Sequence, residues 1–334
     1  MLVKEDNQPV LTSLELKNFR GFRELKMGPF KRLNLITGKN DTGKTSVLEA
    51  LRILLAQRQT EDIRQLFNEF RSGTESDQSE HFWKWLIHDG RNDTEAELRL
   101  ARDNGNPIEL ILCGKSLHGQ IASERGLLHN GGASVIQIYT FGQPQNDKPR
   151  SQQFSNKPTD PKQDAIAYNR VIEQRGRQKV VSLMKRLNPR LEAIEPLQTD
   201  QQHGPIIRID LGFKPLIPVT QMGQGFNRLL NIYSEVIAAE AKVLLIDEIE
   251  NGLHYSVMPQ VFEGLFNAVK ELDIQIFATT HSWECIVAAD DAARKCSSYD
   301  LNVIRLDRVG EDVTATAMDE KTLATARELQ WEMR

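Results

Sequence analysis

Apolar positions along this chain fall into short extended runs separated by a few helical stripes. Residues 11–19 alternate as a half-buried strand does, residues 18–23 read as a turn, and residues 25–27 resume extended character. Residues 33–36 form a short apolar strand. Behind it Val47, Leu48, Leu51, Leu54 and Leu55 recur at helical spacing. Residues 57–70 also look helical, and residues 71–80 are polar and turn-rich. Phe82, Trp83, Trp85, Leu86 and Ile87 then cluster, either as packing against the main body or as a partner- or DNA-stacking surface. Residues 96–101 and 108–113 read as two strands joined by the turn-forming residues 103–106, and residues 134–140 as a third.

Residues 143–164, dense in Gln, Asn, Lys, Pro and Ser, read as a mobile loop or linker. A helix is predicted over 165–187, a strand over 206–211 and a helix over 229–239. Val243, Leu244, Leu245 and Ile246 make a buried central strand. A tight loop over 250–254, a helix over 256–272 and a second buried strand over 274–279 follow. Late strands at 301–306 and 313–317 precede a helix over 320–333. The pattern divides the chain into an N-terminal lobe over 1–142, the linker, and a C-terminal lobe over 165–334.

Composition narrows the class of protein. The 334 residues are 40% hydrophobic and 26% charged, enough for a sizeable core. A net charge of −4 gives no global mark of a nucleic-acid binder. The helix at 165–187 is locally basic (Arg170, Arg175, Arg177, Lys179, Lys185, Arg186), as a solvated face or a DNA-facing one. Three cysteines without paired spacing suit a reducing compartment. With no signal-peptide core and no membrane-length apolar run, a cytoplasmic protein is expected.

The chemistry concentrates at strand ends. Residues 38–45, Gly-Lys-Asn-Asp-Thr-Gly-Lys-Thr, fit the phosphate-binding loop G-x-x-x-x-G-K-[ST] between the strand at 33–36 and a helix start. Gly38 and Gly43 let successive N–H groups of Lys39, Asn40, Asp41, Thr42 and Ser46 turn towards a phosphate, helped by the helix dipole. Lys44 is expected to reach the β- and γ-phosphates, and Thr45 to ligate Mg²⁺. About two hundred residues on, the strand at 243–246 ends in Asp247 and Glu248. Asp247 is the expected Mg²⁺-side carboxylate and Glu248 the base that aligns water. His281, at the tip of the strand at 274–279, is expected near the γ-phosphate. Gly223 and Gly225 open a helix in an anion-binding geometry. The turn at 18–23 is either a plain hairpin with exposed arginines or one that brings Arg20 or Arg23 beside the nucleotide.

Together Phe19-Arg20-Gly21-Phe22, residues 38–45, residues 222–225, residues 247–254 and Thr279-Thr280-His281-Ser282 resemble the ABC-type ATPases of the OLD, RecF and SMC group, most of all the OLD-like ATPases. The resemblance implies an α/β P-loop NTPase of ABC-ATPase type, a mixed central sheet with an antiparallel β-subdomain and a helical lobe. It implies catalytic roles for Lys44, Glu248 and His281, Mg²⁺ held by Thr45 and Asp247, and a D-loop over 250–254 that includes Asn251. Residues 222–225 would be the signature motif, binding the ATP of the opposite subunit in a head-to-head dimer or larger oligomer. Gly223 replaces the usual signature serine, and Gln143 stands in for the Q-loop glutamine. No coiled-coil arm or appended nuclease domain is read from the chain. A separately encoded effector, a nuclease or toxin in anti-phage defence, is therefore the expected partner. A RecF-like ATPase that binds DNA is the alternative, and no membrane partner is expected.

Overall fold

Alternation along the central strands dictates the layering. The computed structural model describes residues 10–55, 86–90, 95–103, 107–113, 137–141, 151–154, 161–198, 205–251, 253–296 and 298–328. The chain begins with β1 (Leu11–Phe19), β2 (Phe22–Met27) and β3 (Leu33–Gly38), which leads into α1 (Lys44–Leu55). Next come β4 (Glu95–Arg102), β5 (Ile108–Cys113), β6 (Gln137–Phe141), β7 (Ser151–Phe154), α2 (Pro161–Glu173) and α3 (Arg177–Lys185). A small sheet of β8 (Ala193–Leu197), β9 (Ile206–Asp210) and β10 (Ile217–Pro218) precedes α4 (Gln224–Ala238). The chain continues through β11 (Val243–Ile246), α5 (Met258–Leu272), β12 (Gln275–Thr279) and α6 (Trp283–Arg294). β13 (Leu301–Val309), β14 (Asp312–Met318) and α7 (Glu320–Glu328) complete it.

The central sheet has the order β14-β13-β3-β12-β11-β7, parallel throughout except for β14. β3 lies between β12 and β13, with Leu33 opposite Ile276 and Leu301. Strands from both ends of the sequence thus share one sheet. Side chains alternate between its faces. Leu35, Leu244, Ile246 and Ile276 join a core with α2, α4, α5 and α6. Ile36, Val243, Leu245 and Phe277 join a second core with α1 and the antiparallel sheet β2-β1-β4-β5-β6. Covered on both faces, β11 and β12 are buried at every residue, which is why β11 reads as an unbroken apolar run.

Two stretches differ from the sequence pattern. Residues 165–187 are two helices, separated at Arg175, whose φ is 58°, and Gly176. A Cβ on Gly176 would sit 2.7 Å from Ile237 Cγ2, so the chain breaks where it passes the end of α4. Within 143–164, the strand β7 docks on β11 and α2 begins at Pro161, in place of continuous loop. Gln143, residues 57–80, Phe82, Trp83 and Trp85 lie outside the described residues.

Candidate functional site

β3 ends in the loop over 38–45, whose backbone curls through left-handed φ values at Gly38 (145°), Asp41 (63°) and Gly43 (89°). The curl is enforced by close neighbours. A Cβ on Gly38 would meet the Leu306 carbonyl oxygen at 2.4 Å, and one on Gly43 would meet the Phe22 ring at 2.4 Å. Phe22, fully buried, is therefore the floor on which the loop turns. Thr42 Oγ1 donates to the Lys39 carbonyl at 2.9 Å, tying the loop to itself.

Lys44 lies over this curl, its Nζ donating to the Gly38 and Lys39 carbonyls at 2.9 Å each. Burial pushes its ammonium below the usual lysine range, against the pull of Asp247, Glu250, Glu248 and Asp41. The two carbonyl dipoles and the nearby carboxylates favour its charged form, and an anion in the loop would oppose the desolvation further. Thr45 Oγ1 lies 3.2 Å from Asp247 Oδ2, and Thr279 Oγ1 donates to Asp247 Oδ1 at 2.5 Å. One hydroxyl and one carboxylate make a hard, all-oxygen donor pair suited to Mg²⁺, which takes few protein ligands alongside phosphate and water. Among the described residues no group of three His, Cys, Asp or Glu is placed to hold a metal by itself.

Glu248 follows Asp247 in the left-handed region (φ 47°), where its N–H donates to Thr279 Oγ1 at 2.8 Å. That turn aims successive carboxylates apart. Asp247 faces Thr45, while Glu248 faces the cleft, with His281 Nε2 3.9 Å from Oε1 and Asn251 Nδ2 3.3 Å from Oε2. The His281 backbone N–H donates to Glu250 Oε1 at 2.6 Å, so the loop after β11 fixes the loop after β12. Ser282, not His281, caps α6 by accepting from Cys285 N at 3.1 Å.

These groups open onto a cleft of about 950 Å³ lined by residues 40–46, Glu248 and His281. Lys39 and Gly38 lie beneath it through their carbonyls, Asp247 behind Thr45 and Asn251 behind Glu248. Gly223 and Gly225 do not line it. Gly223 is the extended N-terminal cap of α4, and Gly225 packs on Val257 and Val261.

The hairpin alternatives separate cleanly. Arg20 lines the cleft and pairs through Nε with the fully buried Glu49 of α1 at 3.1 Å, whereas Arg23 pairs with Glu311 away from it. Three further wall residues are not among the site residues expected from the sequence. Arg308 donates from Nη2 to the Asp41 carbonyl at 2.8 Å. Ile87 and Asp89 reach the cleft because Ile87 bridges to Phe19 and Leu86 O accepts from Arg20 N. Only the register of β13 beside β3, with Leu306 opposite Gly38, reveals Arg308.

The fold and this cleft define an ABC-type P-loop ATPase of the SMC and RecF group. The chain aligns with an SMC head bound to the C-winged helix domain of ScpA, at a TM-score of 0.58 and 13% identity, covering 94% of this chain and all of that one. The SMC head domain from Thermotoga maritima gives 0.52 at 14% identity, covering 93% and 99%. Residues 33–286 match the family described as "AAA domain, putative AbiEii toxin, Type IV TA system", and the chain belongs to that family. A Helicobacter pylori protein named "ATP/GTP phosphatase" is 24% identical over 86% of this chain and 89% of its own length. The DNA replication and repair protein RecF of Teredinibacter turnerae is 30% identical over 33% of this chain and 27% of its own. Among the described residues no helix is long and apolar enough to cross a membrane.

Proposed function

We propose that the protein hydrolyses Mg-ATP held at residues 38–46 and uses the nucleotide to bring two copies head to head. The observation that carries this reading is the convergence of Thr45, Asp247, Glu248 and His281, from three strand ends, on one cleft. Backbone N–H groups of the loop bind the phosphates, and Lys44 meets the charge that builds on the transferring phosphoryl group. Thr45 and Asp247 would hold Mg²⁺, which supplies positive charge at the phosphate oxygens when bound. Glu248 takes the proton of the attacking water, and His281 orients the γ-phosphate from the facing loop.

The glycine pair at Gly223 and Gly225 lies outside its own chain's cleft, which supports its serving the nucleotide of the opposing copy. With Gly223 in the serine position, only backbone N–H groups are offered there, and turnover is slow. The output passes to a separately encoded effector, a nuclease or toxin in anti-phage defence. The OLD-like pattern of residues 247–254 and the toxin in the family's description support that role. RecF relatives favour a second reading, DNA binding, which a steep salt dependence in a filter-binding titration would reveal.

The test is phosphate release and solution mass, with and without Mg-ATP, for the wild type and Glu248→Gln. The substitution should lower turnover by about 10²–10⁴-fold while Mg-ATP converts the variant to a dimer or larger assembly. Unchanged turnover would remove Glu248 from its role, and unchanged mass in both proteins would remove the paired state.

A further inference from the structure

Glu248 sits at φ 47°, a left-handed conformation that a glutamate rarely adopts. Backbone strain of this kind persists where neighbouring groups over-determine it. The neighbour here is Thr279, the fully buried last residue of β12. It lies one residue beyond the Ile246–Ala278 pair that ends the β11–β12 ladder, and on its other side it is paired with Ile36 of β3. Thr279 therefore stands between the strand that launches the P-loop and the strand that carries both carboxylates.

The directions of its hydrogen bonds are fixed. An amide N–H only donates and a carboxylate only accepts. The hydroxyl oxygen therefore takes the Glu248 N–H at 2.8 Å and gives its single proton to Asp247 Oδ1 at 2.5 Å. The Thr279 carbonyl accepts from Ile249 N at 3.0 Å, which pins the next residue of the same turn. With Oδ1 engaged, Oδ2 is the Asp247 oxygen nearer Thr45 Oγ1, at 3.2 Å against 3.4 Å. One buried oxygen atom thus holds both the rotation of Asp247 and the backbone from which Glu248 projects into the cleft. Thr279 itself does not line that cleft.

We propose that Thr279 is a positioning residue for hydrolysis, a role that rests on those proposed above for Asp247 and Glu248. Its hydroxyl acts through these two carboxylates, keeping the metal-side group and the base in register with the P-loop.

Thr279→Val keeps the shape and removes the hydroxyl, and Thr279→Ser keeps the hydroxyl. At saturating Mg²⁺, Thr279→Val should lower kcat for ATP by about 10–100-fold. KM should change little, the split expected of a group that acts in the transition state. Thr279→Ser should recover most of the loss. Titration calorimetry with adenylyl imidodiphosphate, an ATP analogue that is not hydrolysed, gives a readout without turnover. In EDTA it should bind Thr279→Val as tightly as the wild type, whereas the tightening that Mg²⁺ brings should shrink by about tenfold or more. If Thr279→Val fails to fold, Thr279→Ala, which sets no methyl group against the carboxylate, decides the question. Wild-type kcat in the folded variant, an equal loss in Thr279→Ser, or binding weakened as much in EDTA as in Mg²⁺ would overturn the proposal. Glu248→Gln in the same assay separates the two roles. If it loses turnover while Thr279→Val keeps wild-type kcat, Thr279 alone is removed. If it keeps turnover while Thr279→Val shows the losses above, the base is reassigned and Thr279 acts through Asp247.

Discussion

Around the P-loop, buried charges are answered from another element: Glu49 by Arg20, Asp247 by Thr45 and Thr279, Lys44 by two carbonyls. Along α4 the accounting is different. Arg228 keeps Nε and Nη2 buried without a hydrogen-bond partner among the described residues, and burial alone pushes its guanidinium below its ordinary range. At the P-loop end each of these charges has a partner from the same chain. The α4 end, which starts at Gly223 and Gly225, carries polar groups without a hydrogen-bond partner among the described residues.

The contrast can be broken from the satisfied side first. Arg20→Met leaves Glu49 charged and without its guanidinium, and should cost roughly 3–5 kcal/mol of unfolding free energy, measured by urea titration. Gly43→Ala drives a methyl group into the Phe22 ring at a left-handed φ. It should cost about 1–3 kcal/mol and weaken nucleotide binding in the same preparation. On the open side the sign reverses. Arg228→Met removes a buried group with no hydrogen-bond partner among the described residues and should gain about 1–2 kcal/mol. A loss there would mean that Arg228 is satisfied after all and would erase the contrast.

The smallest effect is expected at Glu235. Its folded carboxyl titrates above the ordinary value of 4.5, chiefly through burial. The wild type therefore keeps its full relative stability below that value and loses some as pH rises through the folded pKa. Glu235→Gln should match the wild type near pH 4 and exceed it slightly at pH 7, as followed by thermal melts. A gap that opens on acidification would show that the carboxylate is stabilised instead.

What could be read in the sequence depended on distance along the chain. The loop over 38–45 and the Asp247-Glu248 strand end are local patterns, and the fold brings residues 40–45 and Glu248 to the cleft, with Asp247 behind Thr45. The roles of Arg20 and Arg23 stayed open because the difference lies in Glu49 and Glu311, which only the tertiary fold brings to them. Arg308 and Asp89 were invisible for the same reason. The break at Gly176 was missed because the period of 165–187 is helical throughout, and the constraint comes from Ile237 on another helix.

The position of β3 has a further consequence, for biosynthesis. Its two neighbours, β12 and β13, begin at residues 275 and 301, so the strand that launches the P-loop emerges long before either edge can be paired. At typical synthesis rates the roughly 270 residues separating the ends of β3 and its β13 partner take about 15–50 s to translate. Until β12 is made the nascent chain exposes an apolar strand with two open edges, and one edge stays open until β13 follows, the kind of segment that nascent-chain chaperones bind. Non-local pairing of this kind also slows folding. Any interruption of translation before residue 300 leaves β3 without one of its neighbours, and with it the nucleotide loop unsupported.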